Sequence, residues 1–286
     1  LMARGTVFSL VLAGLVLCGP GIRPAAAVLD KPYDHSFLDE CLKKFVNSQG
    51  EIDFRGLKEK PELLDRYLTQ LASLNDPLWT KTWPREEILA LWMNAYHAAI
   101  LKALRDHYPV RFINDIPNVW EMDLIQVGPK YYSLRDIRRQ QLLGSFRDEK
   151  IHFALSAGVK GGPKMPQEAF TGPRVEGQMF IAVTAFVNDP SEVKIEPGKK
   201  KVIRLSKIFE WYSADFVMDF GTGDNDLGMS ESDYAIVSFV NHYLTDPEKA
   251  RFLEDQKVKV KYLPFDWSLS EWHREAADGS GSPASN

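Results

Sequence analysis

The stretch PREEILALWMNAYHAAILKALRDH, residues 84–107, decides how the rest of the chain must fold. Pro84 suits the first turn of a helix, because its missing amide hydrogen has no partner there anyway and its φ is already helical. Tyr108-Pro109 closes the helix, since a proline disfavours helical backbone in the residue before it. Between these ends Ile88, Leu89, Leu91, Trp92, Ala95, Tyr96, Ala99, Ile100 and Leu104 cover most of the circumference, so the helix is predicted to be buried on nearly all sides. Asn94 and His97, three residues apart, share one face. Both must find partners in the core, because an unsatisfied buried polar group costs about 1–3 kcal/mol. They are either core groups bonded to backbone or water, or part of the lining of a pocket.

A helix buried all round needs a shell, and the flanking sequence supplies one. Phe37, Cys41, Leu42, Phe45 and Val46 fall at helical spacing over 35–47, and Leu63, Leu64, Tyr67, Leu68, Leu71 and Leu74 do so over 60–74. Glu51 to Phe54 alternates like a short strand, Asn75-Asp76-Pro77 stops the second helix, and Trp79 and Trp83 are expected in a connecting loop. After the central helix, Val110 to Ile116 reads as extended, and Met122 to Tyr132 as a hairpin turning at Gly128-Pro129. Ser133 with Asp136 fits an N-cap, starting a helix through Leu143. Residues 151–155 alternate apolar and polar and are expected to form a strand, which runs into a loop broken by Gly158, Gly161, Gly162, Pro163 and Pro166. A helix near 175–187, strands near 192–205, the aromatic segment Phe209 to Tyr212, a helix capped by Ser230 and Asp233 and a strand from Val258 to Leu263 complete the chain. The expected class is α+β, with a helical N-terminal half packed on a small, mostly antiparallel sheet. Neither an internal repeat nor a linker divides it, so 28–275 is expected to be one domain.

Composition bounds the function. The chain has 286 residues, 44% hydrophobic and 12% aromatic, enough for a sizeable core. Arg4, the apolar run from Val7 to Leu17, Gly19-Pro20-Gly21 and Ala25-Ala26-Ala27 read as a signal peptide over 1–27, cleaved after Ala27. The apolar run is short of the roughly 20 residues of a membrane span. The mature protein is therefore expected to be soluble, without a membrane span, and periplasmic or secreted. The formal charge of -4 becomes more negative when Arg4 and Arg23 leave, which argues against a nucleic-acid partner. Cys41 is then the one remaining cysteine, placed for packing rather than for chemistry, and no intramolecular disulfide is possible. Residues 276–286 are too poor in apolar side chains to pack and are expected to be disordered. Asp224 and Asp226 fail the spacing of a calcium loop, and no cofactor is indicated.

Candidate chemistry centres on His152. A histidine exchanges protons near neutral pH, and the loop that follows brings Lys160 and Lys164 beside backbone amides suited to an anion. The alternative is a tight turn with solvated lysines. His97 and His152, with Asp266, would make a three-ligand metal set, but no H-E-x-x-H spacing supports it and no metal is predicted. Ser156 lacks the G-x-S-x-G setting of a nucleophile.

Four stretches carry a resemblance: Leu91 to Ala98, Tyr132 to Ile137, Ile151 to Leu155 and Tyr262 to Leu269. In this order they resemble the family called domain of unknown function 547, over roughly residues 45–270. The family pattern matches at Asn94, Tyr96, His152, Lys160 and Pro163. It departs where the family has a second asparagine, a glutamate and two cysteines: here these are His97, Arg138, Ala157 and Gly162. A cysteine beside a histidine is the usual way for such a stretch to make a nucleophile, and this chain cannot do so there. The leading expectation is a non-catalytic domain that binds a small molecule or peptide in a pocket lined by Asn94, Tyr96, His97, Lys160 and Asp266. The alternative is a hydrolase or acyl-transfer enzyme with His152 as general base. The 151–155 segment is expected to pack on the 84–107 helix, with His152 near Asn94 and His97.

Overall fold

In a computed structural model the central helix runs from Arg85 to His107, and residues 32–75, 79–196, 201–221, 228–255 and 257–273 are described. Pro84 is its N-cap, Glu86 and Glu87 occupy the first turn, and Arg105 and His107 the last, which complements the helix dipole at both ends. Every residue from 89 to 101 is buried, as the sequence predicts. The first part of its shell is α1 (Ser36–Phe45), α2 (Phe54–Glu59), α3 (Glu62–Ala72) and the single turn α4 (Trp79–Thr82), with the central helix as α5. Leu38, Leu42 and Phe45 of α1 and Leu64, Tyr67 and Leu71 of α3 are buried in one apolar core with α5. Cys41 lies wholly inside the same core, and burial pushes its thiol up to about 12.

Beyond α5 a 3-10 turn, Ile113–Asp115, replaces the expected extended segment. The hairpin follows, β1 (Ile125–Val127) pairing antiparallel with β2 (Lys130–Tyr132), Ile125 opposite Tyr132. The Ser133 hydroxyl then accepts from the Asp136 amide at 3.1 Å and donates to the Asp136 carboxylate at 2.7 Å, starting α6 (Leu134–Asp136). This helix widens at once into a π-helix, Ile137–Leu143, and ends as α7 (Gly144–Phe146).

The largest correction is at 151–155, where the structure has one helical turn, α8 (Ile151–Ala154), and no strand. Alternation failed as a signal because residues 151–156 are all buried, so there is no solvent side for the polar positions to mark. The turn stands at the junction of two cores. Ile151, Ala154 and Leu155 belong to the core around α5, whereas Phe153 belongs to a second one. Two smaller corrections are local. The 51–54 strand is reduced to a bridge at Ile52, because the Asp53 side chain accepts from the Gly56 amide at 2.8 Å and starts α2. Trp79 stands in α4, not in a loop.

The second core is built by α9 (Val175–Val187), β3 (Val193–Glu196), β4 (Val202–Leu205), α10 (Lys207–Trp211), α11 (Ser213–Phe220), α12 (Glu231–Tyr243), α13 (Pro247–Asp255) and β5 (Lys259–Tyr262). Strand order is β3-β4-β5, antiparallel between β3 and β4 and parallel between β4 and β5. The α+β class holds, but helices continue through the second half and are not confined to the first. Phe153 packs on Phe186, Phe209 and Phe239 with ring centroids 5.1, 5.1 and 5.2 Å away, so α8 is anchored in this core by one ring.

The C-terminal segment laces the glycine loop to the domain. Lys160 donates its amide to Ser268 and Gly161 to Asp266, each at 2.9 Å, and Ser270 donates to Gly158 at 2.9 Å. Glycine is needed at two of these positions: Gly158 has φ +69°, and a Cβ on Gly161 would stand 2.5 Å from the Asp266 amide nitrogen. Among the described residues no helix is long and apolar enough to cross a membrane. The expected signal peptide (1–27), the tail (276–286), Asp224 and Asp226 lie outside the described residues.

Candidate functional site

A cleft of about 340 Å³ opens where the two cores meet, and the side chains around it come from every part of the fold. Tyr96 comes from α5, Arg135 from α6, Arg138 and Arg139 from the π-helix, and His152 from α8. Ala157, Val159, Gly162 and Pro163 come from the glycine loop. The opposite wall is aromatic: Trp211 lies 4.9 Å from Phe265 and 5.7 Å from Trp267 between ring centroids. A π-helix is rare and concentrates at functional sites, and here it carries two of the cleft's arginines.

His152 is held from both sides. Its Nε2 is 2.8 Å from Asp215 Oδ2, and its Nδ1 is 3.3 Å from a terminal guanidinium nitrogen of Arg138. A guanidinium only donates, so Nδ1 is the acceptor and the ring proton sits on Nε2, donated to Asp215. The imidazole is stacked on Tyr212 at 4.0 Å and 13°, and the Arg138 guanidinium lies 4.4 Å from the centre of the Tyr212 ring. Burial, first, and the Arg138 charge hold the imidazole below its usual pKa, against the hydrogen bond donated to Asp215. The Asp215 carboxyl in turn is held below the usual range by its bond to His152.

The cationic groups differ in what compensates them. Arg135 is paired with Glu121. Arg138 and Arg139 make no ion pair with any described residue, and Nε of Arg138 is buried with no hydrogen-bond partner. Tyr96, only 2% exposed, lines the cleft, and its hydroxyl bonds to no described residue.

The residues singled out from sequence are distributed unequally around this cleft. Tyr96 and His152 line it. Asn94 does not: its amide donates to the Phe170 carbonyl at 2.8 Å and accepts from the Phe170 amide at 2.9 Å. His97 Nε2 accepts from the Ser156 amide at 3.1 Å, and its ring stacks on Phe170 at 5.8 Å. The two polar side chains of the buried helix thus pin both ends of the 156–170 loop. Accepting at Nε2 requires a neutral ring, in keeping with burial, which pushes the His97 pKa down to about 3.

Lys160 faces a neighbouring cleft of about 300 Å³ with Lys164 and Glu192; the two clefts share Val159, Gly162 and Pro163. Asp266 is exposed, and its carboxylate accepts from the Ser268 amide at 2.9 Å and hydroxyl at 2.6 Å, which holds its pKa below the usual range. His97, His152 and Asp266 are therefore engaged separately. Among the described residues no group of three or more His, Cys, Asp or Glu is placed to hold a metal ion. The sequence reading missed Asp215, Tyr212 and Trp211; only the aromatic run at 209–212 hinted at the last two.

Fold and site together define an α+β protein with a buried histidine at the edge of an arginine- and aromatic-lined cleft. Residues 80–187 match the family described as "Protein of unknown function, DUF547". The match takes in α5, the π-helix, α8 and the glycine loop, whereas Tyr212, Asp215 and the Trp211–Phe265–Trp267 wall lie outside it. No curated protein and no solved structure matches the chain.

Proposed function

We propose that this is a binding protein whose cleft takes a small anionic ligand with a flat apolar part, the anion on Arg138 and Arg139 and the apolar part on Trp211, Phe265 and Trp267. One observation carries the reading: Arg138 presents a partly buried guanidinium, with no acidic partner among the described residues, into a cleft walled by aromatic rings. A partly buried guanidinium that forms no ion pair among the described residues and leaves its Nε unpartnered is costly, and a ligand carboxylate or phosphate would supply both a close counter-charge and the missing acceptor. The leader read in the sequence at 1–27 supports a site of action in the periplasm or medium.

A second reading, a hydrolase or acyl-transfer enzyme with His152 as general base, draws on the orienting carboxylate of Asp215. Against it, the nitrogen that would take the proton already accepts from Arg138, and no described hydroxyl or thiol hydrogen-bonds to His152. The Ser156 hydroxyl instead accepts from the Gly158 amide at 3.2 Å.

Binding of 2-naphthoate, followed by calorimetry and by tryptophan fluorescence, tests the proposal. The acid is expected to bind, and 2-(aminomethyl)naphthalene, of the same shape and opposite charge, is not. Arg138→Met should weaken the acid by about ten- to a hundredfold, the worth of a charge-assisted hydrogen bond. Equal binding of acid and amine, or an unaffected Arg138→Met variant, would refute it.

A further inference from the structure

His152 lies in the walls of two clefts at once. One face belongs to the arginine and aromatic cleft, the other to a cleft of about 230 Å³ lined by Arg147, Asp148, Glu149, Asp215 and Asp219. We propose that an anion bound by Arg138 is taken up together with a proton at Nδ1 of His152, so that the cleft is a proton-linked binding site. This rests on the anion-binding reading above and adds the regulation of that site.

The groups around the imidazole determine its charge. From α11 comes Asp215, from the π-helix Arg138, from the segment after α10 the stacked Tyr212, and from the turn before α8 Arg147, Asp148 and Glu149. Asp215 and Asp148 favour the imidazolium, while Arg138 opposes it both by its charge and by occupying Nδ1. The 3.3 Å contact from Arg138 is long for a hydrogen bond, and the same guanidinium lines the cleft that would receive the anion.

An anion on Arg138 changes both contributions. It offsets the guanidinium charge and offers that group a stronger acceptor than the imidazole lone pair. The Nδ1 lone pair then faces a guanidinium whose charge is offset by the anion, and protonation turns it into a donor while Asp215 keeps its bond to Nε2. The balance is protein plus anion plus one proton from solvent, giving a complex with His152 as imidazolium. No bond other than the N–H is made.

Linkage fixes the sign. The free protein holds His152 neutral above an already lowered pKa, whereas the complex holds it protonated to higher pH, so affinity rises as pH falls. Between the two values the dissociation constant of an anion that stays ionised should tighten by up to about tenfold per pH unit.

Titration calorimetry of the full chain with 2-naphthoate at pH 7, in Bis-Tris and in Tris, reads the proton stoichiometry from the difference in apparent enthalpy. The expected result is uptake of a substantial fraction of one proton, with tightening between pH 8 and 6. His152→Gln should still bind but with no uptake and a flat pH profile. Asp215→Asn, which removes the carboxylate favouring the imidazolium, should show less uptake at pH 7. Binding without uptake in the wild type, or uptake undiminished in either variant, overturns the coupling and leaves the anion site standing. Failure of the wild type to bind the probe anywhere from pH 5.5 to 8, or full binding by Arg138→Met, removes the anion site and the coupling with it.

Discussion

Replacing Asn94 with Ala separates a structural role from a ligand role inside the buried helix. Asn94 is wholly buried and makes two hydrogen bonds to one residue, donating to the Phe170 carbonyl at 2.8 Å and accepting from its amide at 2.9 Å. Alanine removes both partners at once and leaves an N–H and a C=O of the main chain unpaired in the core. At about 1–3 kcal/mol for each group left unsatisfied, the loss is about 2–6 kcal/mol. For a chain of this size that corresponds to a fall in Tm of about 5–20 °C. Aspartate is no rescue, because it cannot donate to the Phe170 carbonyl and places a charge in the core. Since Asn94 does not line the cleft, the variant should bind 2-naphthoate within about threefold of the parent at temperatures where both are folded. Thermal unfolding by circular dichroism and calorimetry at low temperature give the two numbers. A variant with unchanged Tm but lost binding would refute the staple and make Asn94 a ligand group.

Acid should destabilise the fold partly through His97. Burial pushes His97 down to about 3 and His35 to about 4, so below the unfolded value of 6.5 the unfolded chain binds more protons and stability is lost as pH falls. Glu192, pushed up to about 7 by burial, acts in the opposite sense between 4.5 and 7, so the wild-type slope alone mixes the two. His97→Gln isolates the imidazole's contribution: urea titrations between pH 6 and 4 should give a slope flatter by about 1.4 kcal/mol per pH unit, and equal slopes would contradict a neutral buried His97. Gly162→Cys should fold, because a Cβ there meets only Val159 at 3.5 Å and Phe265 at 3.7 Å, whereas Gly161→Cys collides with the Asp266 backbone at 2.5 Å. The Gly162→Cys thiol should be alkylated in the native protein with Tm nearly unchanged, and destabilisation equal to that of Gly161→Cys would refute the geometry.

What was legible in the sequence follows from which signals are local. Helix α5 could be read almost to the residue because its ends are written in Pro84 and Pro109 and its burial in an unbroken apolar circumference. The Ser133 cap and the 125–132 hairpin were legible for the same reason: caps and turns act within a few residues. The 151–155 turn was not, since alternation reports a half-buried strand only when one side faces water, and this segment has no such side. Nor was the ligation of His152. Asp215 is 63 residues away, on a helix the sequence did not announce, and only the packing of Phe153, Phe209 and Phe216 in one core brings the two together. Asn94 and His97 show the converse: two polar residues on one helical face were correctly marked as needing partners, and backbone groups of the loop supplied them.

Three of the four departures from the family pattern fall in one place; His97, the fourth, lies in the core behind it. Arg138, Ala157 and Gly162, where the resembling family carries a glutamate and two cysteines, line the same cleft as His152. With a glutamate at 138, His152 would stand between two carboxylates, each favouring the imidazolium, and an imidazolium beside cysteines favours their thiolates. Arginine at 138 reverses that influence on the imidazole, and alanine and glycine stand where the groups it would have activated are found in the family. The three replacements therefore act in one direction. They convert a wall that raises the proton affinity of His152 next to nucleophiles into one that holds His152 neutral next to a guanidinium without an acidic partner among the described residues. On the proposed reading, Arg138 and Arg139 in that wall are the charges that an anionic ligand would meet.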